Sequence, residues 1–190
     1  MITQYADDIT HWAPWQREYR FGAILLYPPD PPASAVNALR ARYDPRSHSY
    51  CAAHISLTVP VPRPLTSADW MELQRIVAHI APIHVRYGPL RHYLPAPGVC
   101  LAIEPRAELD HLRGMLEDAA AFETAPARRW PFSAHMTIAE FVTQEQTLAL
   151  MDEIESVAPS GSFVCDAVSY AVPDGDFRFS DRGRLTLGCT

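Results

Sequence analysis

One four-residue pattern occurs twice in this chain, as His54-Ile55-Ser56-Leu57 and as His135-Met136-Thr137-Ile138. Each copy reads histidine, apolar, hydroxyl, apolar. In a β-strand successive side chains point to opposite faces, so residues two apart share a face. Each copy therefore sets an imidazole beside a hydroxyl and turns its apolar pair into a core. Two such strands facing one another bring two proton-transfer groups and two hydroxyl donors to one cleft. That constrains the chain to a fold with two half-buried strands flanking a single site.

The surrounding residues extend the alternation. From Cys51 to Val59, Ala53, Ile55, Leu57 and Val59 share one face, and His54, Ser56 and Thr58 the other. From Pro131 to Phe141, Phe132, Ala134, Met136 and Ile138 alternate with Ser133, His135 and Thr137. Residues 1–18 show no clear period and read as an N-terminal arm carrying Trp12 and Trp15. A buried strand over Tyr19–Tyr27 stops at the run Pro28-Pro29-Asp30-Pro31-Pro32, followed by a short helix over Ala33–Tyr43. Helices are predicted over Thr66–Ile80, Ala107–Phe122 and Thr143 to about Val157, the last opened by a capping box. Strands are predicted over Pro82–Tyr93, Val99–Glu104 and Ser162–Val172, with a hairpin around Asp181-Arg182-Gly183.

Each motif strand is followed by a helix, which points to an internal duplication. The predicted architecture is α+β and two-lobed: duplicated α/β units whose antiparallel sheets line a central cleft. Residues 19–190 form one such domain, since no linker long enough to separate independent domains interrupts them.

A net charge of −6 argues against an extended surface for long duplex nucleic acid. All 16 basic residues are Arg. Their diffuse spread fits a compositional bias, and the absence of Lys excludes Schiff-base chemistry and a P-loop. Cys51, Cys100, Cys165 and Cys189 form no Cys-x-x-Cys pair, and three of them lie in apolar strand-like runs. These read as buried thiols in a reducing compartment. With no signal-peptide pattern and no apolar stretch long enough for a membrane, the cytoplasm and no membrane partner are expected. No metal-ligand spacing links the remaining histidines, His11, His48, His79, His84, His92 and His111, so neither metal nor cofactor is expected. A Gly-x-Ser-x-Gly elbow is absent too.

The motif pair suits phosphodiester cleavage. One imidazole deprotonates the attacking oxygen and the other protonates the leaving one, on opposite sides of phosphorus. Ser56 and Thr137 would donate hydrogen bonds to the non-bridging oxygens, where charge builds. Arg91, His92 and Tyr93 lie at a predicted strand end, with Arg91 and Tyr93 as further substrate contacts. Arg128-Arg129 reads as a solvated surface pair, Trp130 as packing, and Phe132 as turned to the core.

With these residues in place, the chain resembles the two-histidine (2H) phosphoesterase superfamily, which includes RNA 2′-5′ ligase-like proteins and 2′,3′-cyclic phosphodiesterases. HISL at His54 and HMTI at His135 match its paired motifs at the family's spacing, and Trp130-Pro131-Phe132 its longer second-motif context. The element order fits from about Tyr19 onward. The resemblance implies His54 and His135 as the catalytic pair, Ser56 and Thr137 as phosphate-binding hydroxyls, and a substrate that is a nucleotide or RNA end carrying a cyclic phosphate. No strong basic cluster marks an RNA-binding face, so a small nucleotide is supported at least as well as a polymer. Two alternatives stay open: a non-catalytic nucleotide-binding module using the same cleft, and RNA 2′-5′ ligation by the reverse reaction. A monomer is expected.

Overall fold

The computed structural model describes residues 4–93 and 96–188; Cys189 lies outside them. A single turn of helix, α1 (Pro14–Arg17), precedes β1 (Ala23–Leu26), whose four residues are all buried. β1 is shorter than the predicted Tyr19–Tyr27. Gly22 turns the chain at φ +82°, and its Cα lies so close to the Ala171 carbonyl that an added Cβ would fall 2.2 Å from that oxygen. Only glycine fits there.

After the proline run, α2 (Pro32–Tyr43) directs Val36 and Arg40 inward. A helix not foreseen from the sequence follows, α3 (Pro45–Tyr50). The Asp44 carboxylate accepts the Ser47 N–H at 3.0 Å as N-cap, and Pro45 occupies the first turn, where its missing N–H costs nothing. The first motif then forms β2 (Ile55–Ser56), pairing Leu26 with Ile55 and Leu25 with Ser56. The ladder is far shorter than Cys51–Val59 because the Leu57 and Thr58 N–H groups both turn to the Ile24 carbonyl, and Thr58 Oγ1 accepts the Ile24 N–H. The alternation nevertheless persists outside the ladder: Ala53, Ile55 and Leu57 are buried.

The rest of the chain adds α4 (Ser67–Val77), β3 (Ile83–His92), β4 (Val99–Glu104), α5 (Arg106–Glu117), a 3₁₀ turn at Ala120–Phe122, and β5 (His135–Ala139). Then come α6 (Gln144–Ile154), β6 (Gly161–Cys165), β7 (Ala167–Pro173) and β8 (Phe179–Thr186). Thr66 and Thr143 cap α4 and α6 through reciprocal bonds with Asp69 and Gln146.

Two four-stranded antiparallel sheets result, ordered β2-β1-β7-β8 and β5-β4-β3-β6. Each motif strand takes the edge of its sheet, beside a fully buried or nearly fully buried strand. β2 and β5 run next to each other without a ladder, and α2 packs on β5. One hydrophobic cluster draws Ile24, Ile55, Leu101, Met136, Leu112 and Ile154 from both sheets and the helices between them.

Two predictions at the C-terminal end need correction. The expected strand over Ser162–Val172 is two strands broken at Asp166, which serve different sheets. The turn joining β7 to β8 lies at Asp174–Arg178, where Asp174 Oδ1 accepts the N–H groups of Asp176 and Arg178. Asp181-Arg182-Gly183 instead sits inside β8. Tyr170 opposes Gly183 while Ala171 opposes Asp181, so Arg182 is the extra residue of a bulge.

Candidate active site

A cleft of about 910 Å³ opens between the edge strands, lined from the first sheet by Leu25, His54 and Ser56 and from the second by Cys100, Ala102, His135 and Thr137. That volume lies within the range of small-molecule sites. The two histidines are set up alike. His54 Nδ1 lies 2.7 Å from the Ala52 carbonyl oxygen, and His135 Nδ1 lies 2.7 Å from the Ser133 carbonyl oxygen. A carbonyl only accepts, so each Nδ1 carries the proton, and each Nε2 is the atom left for proton exchange. An aromatic ring flanks each imidazole: Tyr27 at 6.3 Å between centroids for His54, and Tyr93 at 4.7 Å for His135.

Burial governs the electrostatics. It pushes His54 down to about 4, assisted by the charge of Arg40 and opposed by the Ala52 carbonyl and Glu140. His135 is also lowered, first by burial and then by the neighbouring His54, against the Ser133 carbonyl and Glu140. Both rings are therefore neutral at pH 7, and a phosphate anion between them would favour protonation of one. Cys51 and Cys100 also line the cleft, but burial raises each thiol to about 11, so neither is a ready nucleophile.

These shifts predict a pH dependence of folding. Between about pH 4 and the ordinary histidine value of 6.5, the unfolded chain binds a proton at position 54 that the folded chain refuses, and the lowered His135 acts in the same direction below 6.5. Stability therefore falls as pH drops through that window. Melting temperatures at pH 7 and pH 5 should show the drop, and His54→Gln should reduce it. An unchanged drop in that variant would assign the effect elsewhere.

The register explains how the other motif residues reach the cleft. On the second sheet, Thr137 opposes Cys100 and Cys100 opposes Arg91, one row across the cleft face. On the first, Ser56 opposes Leu25 and Leu25 opposes Ser169. Ser56, Thr137, Arg91 and Tyr93 thus share the cleft with both histidines.

The loop before β5 departs from its sequence reading at two positions, Arg128 and Trp130. Arg128 is no solvated surface residue. Its guanidinium donates to the Leu57 carbonyl and the Glu117 carboxylate, and Glu117 also accepts the Val59 N–H. This pins the loop to the segment after the first motif. Arg129 is exposed and pairs with Glu18 at 2.9 Å. Trp130 is 63% exposed at the cleft rather than packed. Phe132 does turn against the core, with the Arg113 and Arg128 guanidiniums 5.5 and 5.2 Å from its ring centroid.

Sequence reasoning missed Arg40. Only 2% exposed, it donates to the carbonyls of Thr137, Ser47 and Cys51 at 2.7, 3.0 and 3.0 Å, tying α2 to both motif segments. Nearby, Asp44 Oδ2 accepts the Glu140 N–H, and Ser47 Oγ donates to Glu140 Oε1. The available signal was its position four residues after Val36, on the inward stripe of α2. Among the described residues, no group of three or more His, Cys, Asp or Glu side chains is arranged to hold a metal.

Likeness to known proteins places the chain in a family and extends its fold beyond this molecule. The sequence signature of the 2′-5′ RNA ligase superfamily matches residues 28–177, and the chain belongs to that superfamily. A protein of Oceanobacillus iheyensis named "Putative phosphoesterase OB1230" is 24% identical over 135 residues, covering 70% of this chain and 77% of its own. Among solved structures, Escherichia coli LigT complexed with 3′-AMP superposes with a TM-score of 0.60 at 17% identity, over 87% of this chain and 96% of LigT. TT0787 of Thermus thermophilus gives 0.58 at 15% identity, over 88% and 98%. LigT structures with NADP+ and with ATP also match, at 0.57 and 0.58. These likenesses extend the shared fold across most of the chain.

Proposed function

We propose that the protein is a metal-independent phosphodiesterase that opens 2′,3′-cyclic phosphates of nucleotides or RNA ends. The observation that carries this reading is the matched pair of imidazoles, each oriented through Nδ1 by a carbonyl two residues back, with Nε2 left for chemistry. One Nε2 accepts a proton from the attacking water as its oxygen bonds to phosphorus. The other delivers a proton to the ribose oxygen as the P–O bond to it breaks. Each turnover thus moves one proton onto the first histidine and one off the second. Ser56 and Thr137 donate to the non-bridging oxygens, and Arg91 and Tyr93 meet the remainder of the substrate. The nucleotides named in the LigT complexes support a nucleotide-sized ligand. Burial of Cys51, Cys100 and Cys165 as free thiols supports action in a reducing cytoplasm.

The test is a panel of cyclic phosphates (mononucleotide, ADP-ribose type and oligonucleotide end) assayed with excess chelator. At least one should turn over at a rate the chelator leaves unchanged. A requirement for added metal would overturn the mechanism. Tight binding of nucleotide monophosphates with no turnover of any panel member would favour the non-catalytic module.

A further inference from the structure

Residues ahead of the matched segment 28–177 do more than cover the domain. Trp12 and Trp15 lie three apart and serve different ends. Trp12 is 3% exposed, donates its indole N–H to the Gly175 carbonyl at 2.8 Å, and packs edge-on against Phe177. Trp15, carried on α1, is 37% exposed and lines the cleft that holds both histidines. Phe177 packs edge-on against Trp15 with φ +63°, a left-handed conformation that residues other than glycine rarely adopt. Five rings hold it there, those of Trp12, Trp15, Tyr19, Tyr50 and Phe179. Strain kept at a cleft wall needs a reason, and presenting flat rings to a ligand is one.

The duplicated halves are unequal on this point. The cleft face of the second sheet carries Arg91 in the row with Thr137. The matching row of the first sheet is Ser56, Leu25 and Ser169, with no arginine, and Leu25 clusters with Ala23, Ala171, Tyr19 and Phe179. Glu18 and Glu140 are the acidic residues of the lining, and Arg129 reaches from the loop before β5 to hold Glu18. An apolar, aromatic wall whose Glu18 is already paired with Arg129 offers a phosphate little and suits a planar ring.

We propose that Trp15, Tyr19 and Phe179, with Glu18 at their margin, form a nucleobase subsite where the N-terminal arm meets the start of β8. It takes the base of the nucleotide whose phosphate lies between His54 and His135. This rests on the cyclic-nucleotide reading above for the phosphate position, while its readout is binding and needs no turnover.

Calorimetry on the full chain compares adenosine 3′-monophosphate with ribose 3-phosphate, which lacks the base. Wild type should prefer the nucleotide. Trp15→Ala should weaken nucleotide binding roughly 5- to 100-fold, the span of base–aromatic stacking, and leave ribose phosphate unchanged. Trp15→Phe should restore most of the loss, which a merely structural role in docking the arm would not tie to the base. Phe179→Leu supplies a second variant and should reduce the same preference. Equal weakening of both ligands, no change in either, or no preference in wild type overturns the subsite. Base-dependent binding without turnover of any cyclic phosphate overturns only the catalytic reading, and turnover without base preference only the subsite.

Discussion

His54→Ala and His135→Ala should each lower kcat for a 2′,3′-cyclic nucleotide by about 10²–10⁴-fold, the contribution typical of one positioned acid or base. The double variant should fall well short of the product of the two losses, because the residues act on one transition state. The pH profile of kcat/KM supplies an independent check. Burial lowers both imidazoles, His54 to about 4. A lowered value means the acid loses its proton at lower pH. The bell should therefore peak on the acid side of the ordinary histidine value of 6.5 and decline toward pH 8. Each single variant should lose one limb. A variant that keeps near wild-type kcat and both limbs would remove that histidine from the mechanism.

Arg40→Met should destabilise the fold by about 2–4 kcal/mol. Three hydrogen bonds from a charged donor disappear and three carbonyls lose a partner, partly offset because a buried charge is removed as well. The deleted contacts reach Thr137, itself a motif residue, and Cys51, three residues ahead of His54. A fall in kcat should accompany the loss of stability even where the variant is fully folded. Arg40→Lys recovers little, since a compact ammonium cannot span three carbonyls as the planar guanidinium does. Urea midpoints together with steady-state rates measure both effects. A midpoint within error of wild type would contradict this account of Arg40.

The difference between Arg40 and His54 marks what the sequence makes legible. His54 and Ser56 announce themselves because alternation of period two is a local property, and local periodicity survives even where β2 has only two ladder residues. The capping boxes at Thr66 and Thr143 are local too, and α4 and α6 start where those boxes place them. Arg40 looks like any surface arginine until the fold brings Thr137 and Cys51 over it. Arg128 is alike: its partners Leu57 and Glu117 come from distant segments. The bulge at Arg182 reads as a turn for a related reason, since Asp-x-Gly serves both uses and only the pairing of Tyr170 and Ala171 decides between them. The wall around Phe177 depends on residues from both ends of the chain and from α3, a helix whose only local sign was Asp44-Pro45.

The two sheets also differ in how the chain supplies their strands. β3 through β6 run consecutively from Ile83 to Cys165, whereas β1 and β2 must wait for β7 and β8. During synthesis from the N-terminus, the strand bearing His135 emerges after β3 and β4 and shortly before β6, which completes its sheet. The segment bearing His54 leaves the ribosome early and stays without a finished sheet until β8 has been made. Long-range pairing of this kind is slow to form. A chain stopped before β7 therefore carries both histidines while the sheet behind His54 still lacks half of its strands.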